Sequence, residues 1–70
     1  MPKSISVIVV ANGELSRMSL ESGSAAADLL TILGLLPDAY IVVRSGLPIP
    51  ITQVLRDHDR IRIVRVASGG

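Results

Sequence analysis

Only one stretch of this chain long enough to matter repeats its apolar residues at helical spacing. Ala26, Leu29, Leu30 and Leu33 recur on one face of a 3.6-residue period. Around that stretch lie runs rich in β-branched residues, which alternate or cluster as strands do. A single helix has one apolar stripe to hide, and a single sheet has one face to receive it. The arrangement predicted is one helix packed on one face of one mixed sheet, with the other face left to solvent.

The strands follow from local pattern. Ser4 to Val10 reads as the first, with Ile5, Val7 and Val9 alternating against Ser4, Ser6 and Ile8. Asn12-Gly13 then marks a two-residue hairpin, because both central positions of a type I′ turn need positive φ. The return strand is Leu15 to Leu20, with Met18 and Leu20 on one face and Ser19 and Glu21 on the other. Ser24 is the expected N-cap of the helix, and Asp28 favours its N-terminal end. Gly34 suits a left-handed C-cap, and Pro37 blocks continuation. Tyr40 to Arg44 forms the third strand and Ser45-Gly46 turns it. Pro48 and Pro50 leave room only for a short edge strand around Ile49. Thr52 to Arg56 reads as a short helical turn with Leu55 as its inward anchor. Asp57-His58-Asp59 is a tight turn, and Arg60 to Val66 is the last strand, with Ile61 and Ile63 on one face and Arg62 and Val64 on the other.

At 70 residues the chain makes one domain at most. A domain of this size buries only about 60% of the surface of its unfolded chain, so its core must be well filled. Hydrophobic residues supply 49% of the chain but include no Phe, no Trp and one Tyr, so that core is aliphatic. The absence of cysteine excludes a disulfide scaffold, a thiolate zinc site and a cysteine nucleophile. A small fold without disulfides suits a reducing cytoplasm, the expected location. Val7 to Ala11, as long an apolar run as the chain has, falls far short of the ~20 residues that span a bilayer. No leader pattern opens the chain. Seven basic against six acidic residues give a net charge of +1, which provides no general attraction to nucleic acid or to an anionic membrane.

Three stretches, in this order, resemble the ubiquitin-like β-grasp proteins, in particular their prokaryotic sulfur-carrier branch: the ThiS and MoaD proteins and the small archaeal modifier proteins. Ser24-Ala25-Ala26-Ala27-Asp28-Leu29-Leu30 is similar to the family's "T-V-x-D-L-L" helix start. Val43-Arg44-Ser45-Gly46-Leu47-Pro48-Ile49 is similar to its "V-N-G-x-x-V" segment. Leu55-Arg56-Asp57-His58-Asp59-Arg60-Ile61-Arg62-Ile63, leading to Gly69-Gly70, is similar to "L-x-D-G-D-x-V-x-I" followed by Gly-Gly. Two positions depart from the pattern: His58 stands for the usual Gly and Ser45 for the usual Asn.

The resemblance implies an α+β, β-grasp fold with a four- to five-stranded mixed sheet. The folded domain would span residues 1–66, and residues 67–70 would form a flexible Gly-Gly tail. It further implies a carrier or modifier whose reactive group is the carboxylate of Gly70, with Gly69 slim enough to thread a narrow channel. The chain itself lacks a phosphate-binding Gly-rich loop and any cluster suited to magnesium, so it is expected not to be an enzyme. A ubiquitin-activating-type partner would use ATP and magnesium to form the Gly70 acyl-adenylate, and no cofactor would be held permanently. A sulfur donor enzyme could then make a thiocarboxylate for tRNA thiolation, molybdopterin or thiamin biosynthesis. Alternatively Gly70 could be joined to target-protein lysines. By analogy with ubiquitin, Ile41, Val43, Arg44, Arg62 and Val64 on the open sheet face would dock the adenylating enzyme. Lys3, the only side-chain amine, is the possible acceptor if the protein, expected to be a monomer, links to itself. His58 and its flanking aspartates read as a solvated turn rather than as an acid–base site. The alternative is a β-grasp interaction module that binds through its sheet and makes no use of its tail.

Overall fold

The computed structural model describes residues 3–66. It contains β1 (Ser4–Ala11), β2 (Glu14–Glu21), α1 (Ala26–Leu33), β3 (Tyr40–Arg44), β4 (Leu47–Ile49) and β5 (Arg60–Arg65). The five strands form one sheet in the order β2-β1-β5-β3-β4. The pairing of β1 with β5 is parallel and the others are antiparallel, so the sheet is mixed as expected. Residues 67–70, including the expected Gly-Gly tail, lie outside the described residues.

Alternation along the strands sorts the side chains. Ile5, Val7 and Val9 of β1 point inward with Leu20 of β2, Val42 of β3, and Ile61 and Ile63 of β5. Ala26, Leu29 and Leu30 of α1 meet them, Leu33 packs on their margin, and Leu55 closes one end. Among the described residues no buried side chain is polar or charged, so the interior is sealed by aliphatic contact alone. Tyr40 packs against this core from its edge.

Turns behave as their chemistry requires. Asn12 and Gly13 (φ 53° and 76°) and Ser45 and Gly46 (φ 54° and 78°) both place two successive residues in the left-handed region that a type I′ link needs. Ser45 and His58, which replace residues better suited to positive φ, nevertheless adopt it, His58 at φ 68°. The C-terminus of α1 is a Schellman arrangement. Gly34 at φ 72° donates to Thr31 and Leu35 donates to Leu30.

Two expectations are corrected. The N-cap is Ala25 rather than Ser24. The carbonyl of Ser24 instead accepts the N–H of Leu55 at 2.8 Å, and Ala25 bridges to Val54, which holds both residues in extended backbone. The free N–H groups of the first turn find other partners: Ala26 donates to the Gln53 carbonyl (3.0 Å) and Ala27 to that of Ile51 (2.8 Å). The Asp28 carboxylate accepts from the N–H of Ala25 at 2.8 Å. The same bonds explain why Thr52 to Arg56 is not a helical turn. The Gln53 carbonyl and that of the preceding Ile51 are spent on α1, so the segment runs as a turn at Ile51–Thr52 followed by an extended bridge, with Leu55 still directed inward.

Candidate functional site: the open sheet face

Register places the outward residues. Ile41 of β3 lies opposite Val64 of β5, and Val43 lies opposite Arg62. On the other side of β5, Val10 of β1 sits beside Arg62 and Ile8 beside Arg60. Directly opposed residues project to the same side of a sheet, so these seven share the face away from α1. Pro48 of β4 and Leu15 and Arg17 of β2 extend it to both margins through their pairs with Val43, Val10 and Ile8. The result is a mostly aliphatic surface with Arg60 and Arg62 on its central strand and no carboxylate among these residues. Shallow grooves of about 480 Å³ and 320 Å³ flank Arg62, one beside Val43 and Arg60, the other beside Val64 and Asn12.

Of the residues singled out from sequence, Ile41, Val43, Arg62 and Val64 are brought together here. Ile41 and Val64 are each 42% exposed, accessible enough to touch a partner. Arg44 is not part of this surface. It lies opposite Ile61 and so projects toward the α1 side. There its Nη1 meets Asp59 Oδ2 at 3.2 Å, in a half-buried pair. Its role is to anchor the turn before β5, because the same Asp59 oxygen also accepts the N–H of Arg56 at 2.8 Å.

The Asp57-His58-Asp59 turn is a clamp between β1 and β5. Asp57 Oδ1 accepts the N–H of Ser6 at 2.7 Å, and the N–H of His58 returns to the Ser6 carbonyl at 2.7 Å. The carbonyl of Asp59 accepts the N–H of Ile8 at 2.9 Å. The His58 side chain is 85% exposed, with Nε2 3.1 Å from Asp57 Oδ2, so it stands in solvent at the rim of the clamp. Among the described residues no group of three or more His, Asp or Glu could hold a metal ion. No helix among them is long and apolar enough to cross a membrane. Lys3 is exposed just ahead of β1, its carbonyl accepting the N–H of Ser22.

Sequence reasoning missed Ile8, Val10 and Arg60 as part of this face. The signal was present: β1 is apolar at both parities from Val7 onward, so its outward residues had to make a second, exposed apolar surface.

Residues 4–67 match the family of small archaeal modifier protein 2. The chain belongs to this family. An uncharacterized protein of Archaeoglobus fulgidus is 33% identical over 49 residues, which cover 70% of this chain and 72% of that protein. Among solved structures, Caldiarchaeum subterraneum ubiquitin superposes with a TM-score of 0.71 at 14% identity, covering 96% of this chain and 99% of that one. A designed protein based on ubiquitin superposes with a TM-score of 0.78 at 15% identity, covering 99% and 96%. The family is thus a ubiquitin-like modifier family, and the fold is the β-grasp of ubiquitin.

Proposed function

We propose that this family member works through the carboxylate of Gly70, which a ubiquitin-activating-type enzyme docked on the open sheet face converts to an acyl-adenylate. The observation that supports this reading is the order of residues on one strand. Central β5 carries Arg62 and Val64 on the open face and ends at Arg65, one residue before Val66. A partner seated on that face lies beside the end of the described residues at Val66, after which Ala67-Ser68-Gly69-Gly70 follow in sequence. Those four residues reach up to ~14 Å when extended, enough to enter a neighbouring catalytic cleft.

The chemistry belongs to the partner. A carboxylate is a poor acyl donor because its leaving group would be oxide. Attack of the Gly70 carboxylate on the α-phosphorus of ATP releases pyrophosphate and leaves an acyl–phosphate anhydride whose leaving group is AMP. The terminal sulfur of a persulfide on a donor enzyme's cysteine then displaces AMP to give an acyl disulfide, and a thiol reductant cleaves its S–S bond, leaving the Gly70 thiocarboxylate and the donor's free thiol while the reductant becomes a disulfide. A lysine amine attacking the same activated carbonyl gives an isopeptide bond instead. The chain contributes an unhindered glycine carbonyl and a docking handle. The partner's facing surface should be apolar with carboxylates placed for Arg60 and Arg62.

The test is ATP–pyrophosphate exchange with the cognate adenylating enzyme. Removing Gly69 and Gly70 should abolish exchange while the fold is retained, and Arg62→Glu should raise the concentration needed for half-maximal exchange at least tenfold. With ATP and a sulfur donor, the intact protein should gain the mass of one sulfur-for-oxygen exchange. Full exchange by the truncated chain would refute the proposal and leave a module that binds through its sheet alone.

A further inference from the structure

The chain carries six arginines and one lysine, and the sheet sorts the two kinds by their distance from Val66. Counting back along β5 at ~3.3 Å per residue, Arg65 stands about 3 Å from Val66 and Arg62 about 13 Å. Arg44 shares the row of Ile61, about 17 Å back, and is turned to the α1 side against Asp59. Arg60 lies about 20 Å back, and Arg17 lies in its row, two strands across. Arg56, before the Asp57–Asp59 clamp, and Lys3, just ahead of β1, are at the opposite end of the sheet. Residues 67–70 span at most ~14 Å, and a lysine stem would add about 6 Å. Arg62 and Arg65 are therefore the exposed cations well inside the reach of Gly70. They line one depression of about 320 Å³ together with Asn12 and Val64. Neither has an ion-pair partner among the described residues.

Positive charge at this place has a use, and an amine there would be a hazard. Once adenylated, Gly70 carries an anionic phosphate, and the partner's facing surface carries carboxylates, so cations near Val66 attract both. Lysine would supply the charge, but a fraction of any lysine is the free amine. In that form its Nζ would attack the carbonyl carbon of Gly70. A C–N bond would form, the bond from that carbon to the phosphate oxygen would break, AMP would leave, and the surplus proton on nitrogen would pass to water. The product would be a closed loop, with one ATP consumed and the C-terminus blocked. A short tether places such an amine at roughly millimolar effective concentration, so this reaction would compete with any outside acceptor. A guanidinium keeps its proton up to a pH above about 12 and has no free lone pair to attack with.

We propose that Arg62 and Arg65 set the acceptor specificity of the activated carbonyl. They hold positive charge beside Val66 without offering a nucleophile, so Gly70 is delivered to an acceptor on another molecule and not to its own chain. The inference rests on Gly70 being the activated group, and it gives the two side chains a reason to be arginine that docking alone does not supply.

The test needs no partner enzyme. A thioester is installed chemically at Gly70 of the wild-type chain, of Arg65→Lys, of Arg62→Lys and of Arg65→Gln. Each is held dilute at about pH 9, where more lysine is free amine than at neutrality. Both lysine variants keep the charge at exposed positions, and amide spectra verify that the fold is retained. Intact mass reads closed monomer, which is lighter than the thioester by the departed thiol, and fragmentation places the new amide. Arg65→Lys and Arg62→Lys should each close at least tenfold faster than wild type, whose amines are Lys3 and the α-amino group. Arg65→Gln removes the charge without adding an amine and should close no faster than wild type. Either lysine variant closing no faster than wild type, or Arg65→Gln closing as fast as Arg65→Lys, would overturn the proposal. Pyrophosphate exchange that ignores loss of Gly69 and Gly70 would refute the role of Gly70 while closure of the lysine variants still stood, so the two failures are told apart.

Discussion

A folded molecule of this protein should be unable to join its own Gly70 to its own amines, and the distance can be worked from the register. Ile8 of β1 stands beside Arg60 of β5 in a parallel pair. Lys3 is five residues before Ile8 and Val66 is six residues after Arg60, so at ~3.3 Å per residue the two lie roughly 36 Å apart along the sheet. Residues 67–70 reach at most ~14 Å, and the lysine stem adds about 6 Å. A gap of roughly 16 Å remains. The α-amino group, two residues before Lys3, gains no more than about 7 Å by folding back. When a tether cannot span its sites, the effective concentration falls close to zero. The perturbation is a chemically installed thioester at Gly70 of the 70-residue chain, which removes any need for the partner enzyme. Intact-mass analysis should find hydrolysed monomer and, as protein concentration rises, linked dimers, but no cyclic monomer. A mixture of light and heavy-isotope protein should give statistically mixed dimers, and Lys3→Arg should remove the Lys3-linked fraction. In strong denaturant the cyclic monomer should appear, because the unfolded chain lets its ends meet. Cyclic monomer forming under native conditions as fast as in denaturant would show that the register-based distance is wrong.

Other expectations can be checked by thermal unfolding, where 1 kcal/mol corresponds to roughly 4–8 °C for a domain of this size. His58→Gly relieves a left-handed side chain at φ 68° and, after the added freedom of the unfolded chain, should leave stability unchanged or raise it by up to about 1 kcal/mol. Ser45→Asn should stabilise by a few tenths to about 1 kcal/mol, because Asn tolerates φ 54° better. Asp59→Ala strips the acceptor from the Arg56 N–H and the partner from Arg44, and should cost about 2 kcal/mol, with Asp59→Asn recovering part of it. Leu29→Ala opens a hole in a fully buried site and should cost about 2–5 kcal/mol, a large share of the ~4–10 kcal/mol available to 70 residues.

The elements were legible because each had a strong local cause. The stripe at Ala26, Leu29 and Leu30 could only be helix, and the alternation of Ile5, Val7 and Val9 could only be strand. Asn12-Gly13 and Gly34 named their own turns. What the sequence hid was bonding between distant segments. Ser24 has the right side chain for a cap, yet its carbonyl is claimed by Leu55, thirty-one residues away. Thr52 to Arg56 reads as a helical turn, yet the carbonyls of Ile51 and Gln53 are drawn to the first turn of α1. Arg44 looked like a surface cation because all of Tyr40 to Val43 is apolar and either parity was open; Val42 took the inside, which sent Arg44 to Asp59. The open face was half read, through β3 and β5, because β1 hides its second apolar parity inside a continuous run.

The parallel contact between the first and last strands also has a mechanical meaning. Tension applied to whatever is attached beyond Val66 is transmitted along β5, which is gripped by β1 on one side and β3 on the other. If the load is resisted near the start of β1, the β1–β5 bonds lie across the pull and must yield together in shear, not one after another as in a zipper. A motor dragging a linked cargo by this domain would meet its stiffest resistance at once, and could let go of the domain before unravelling it.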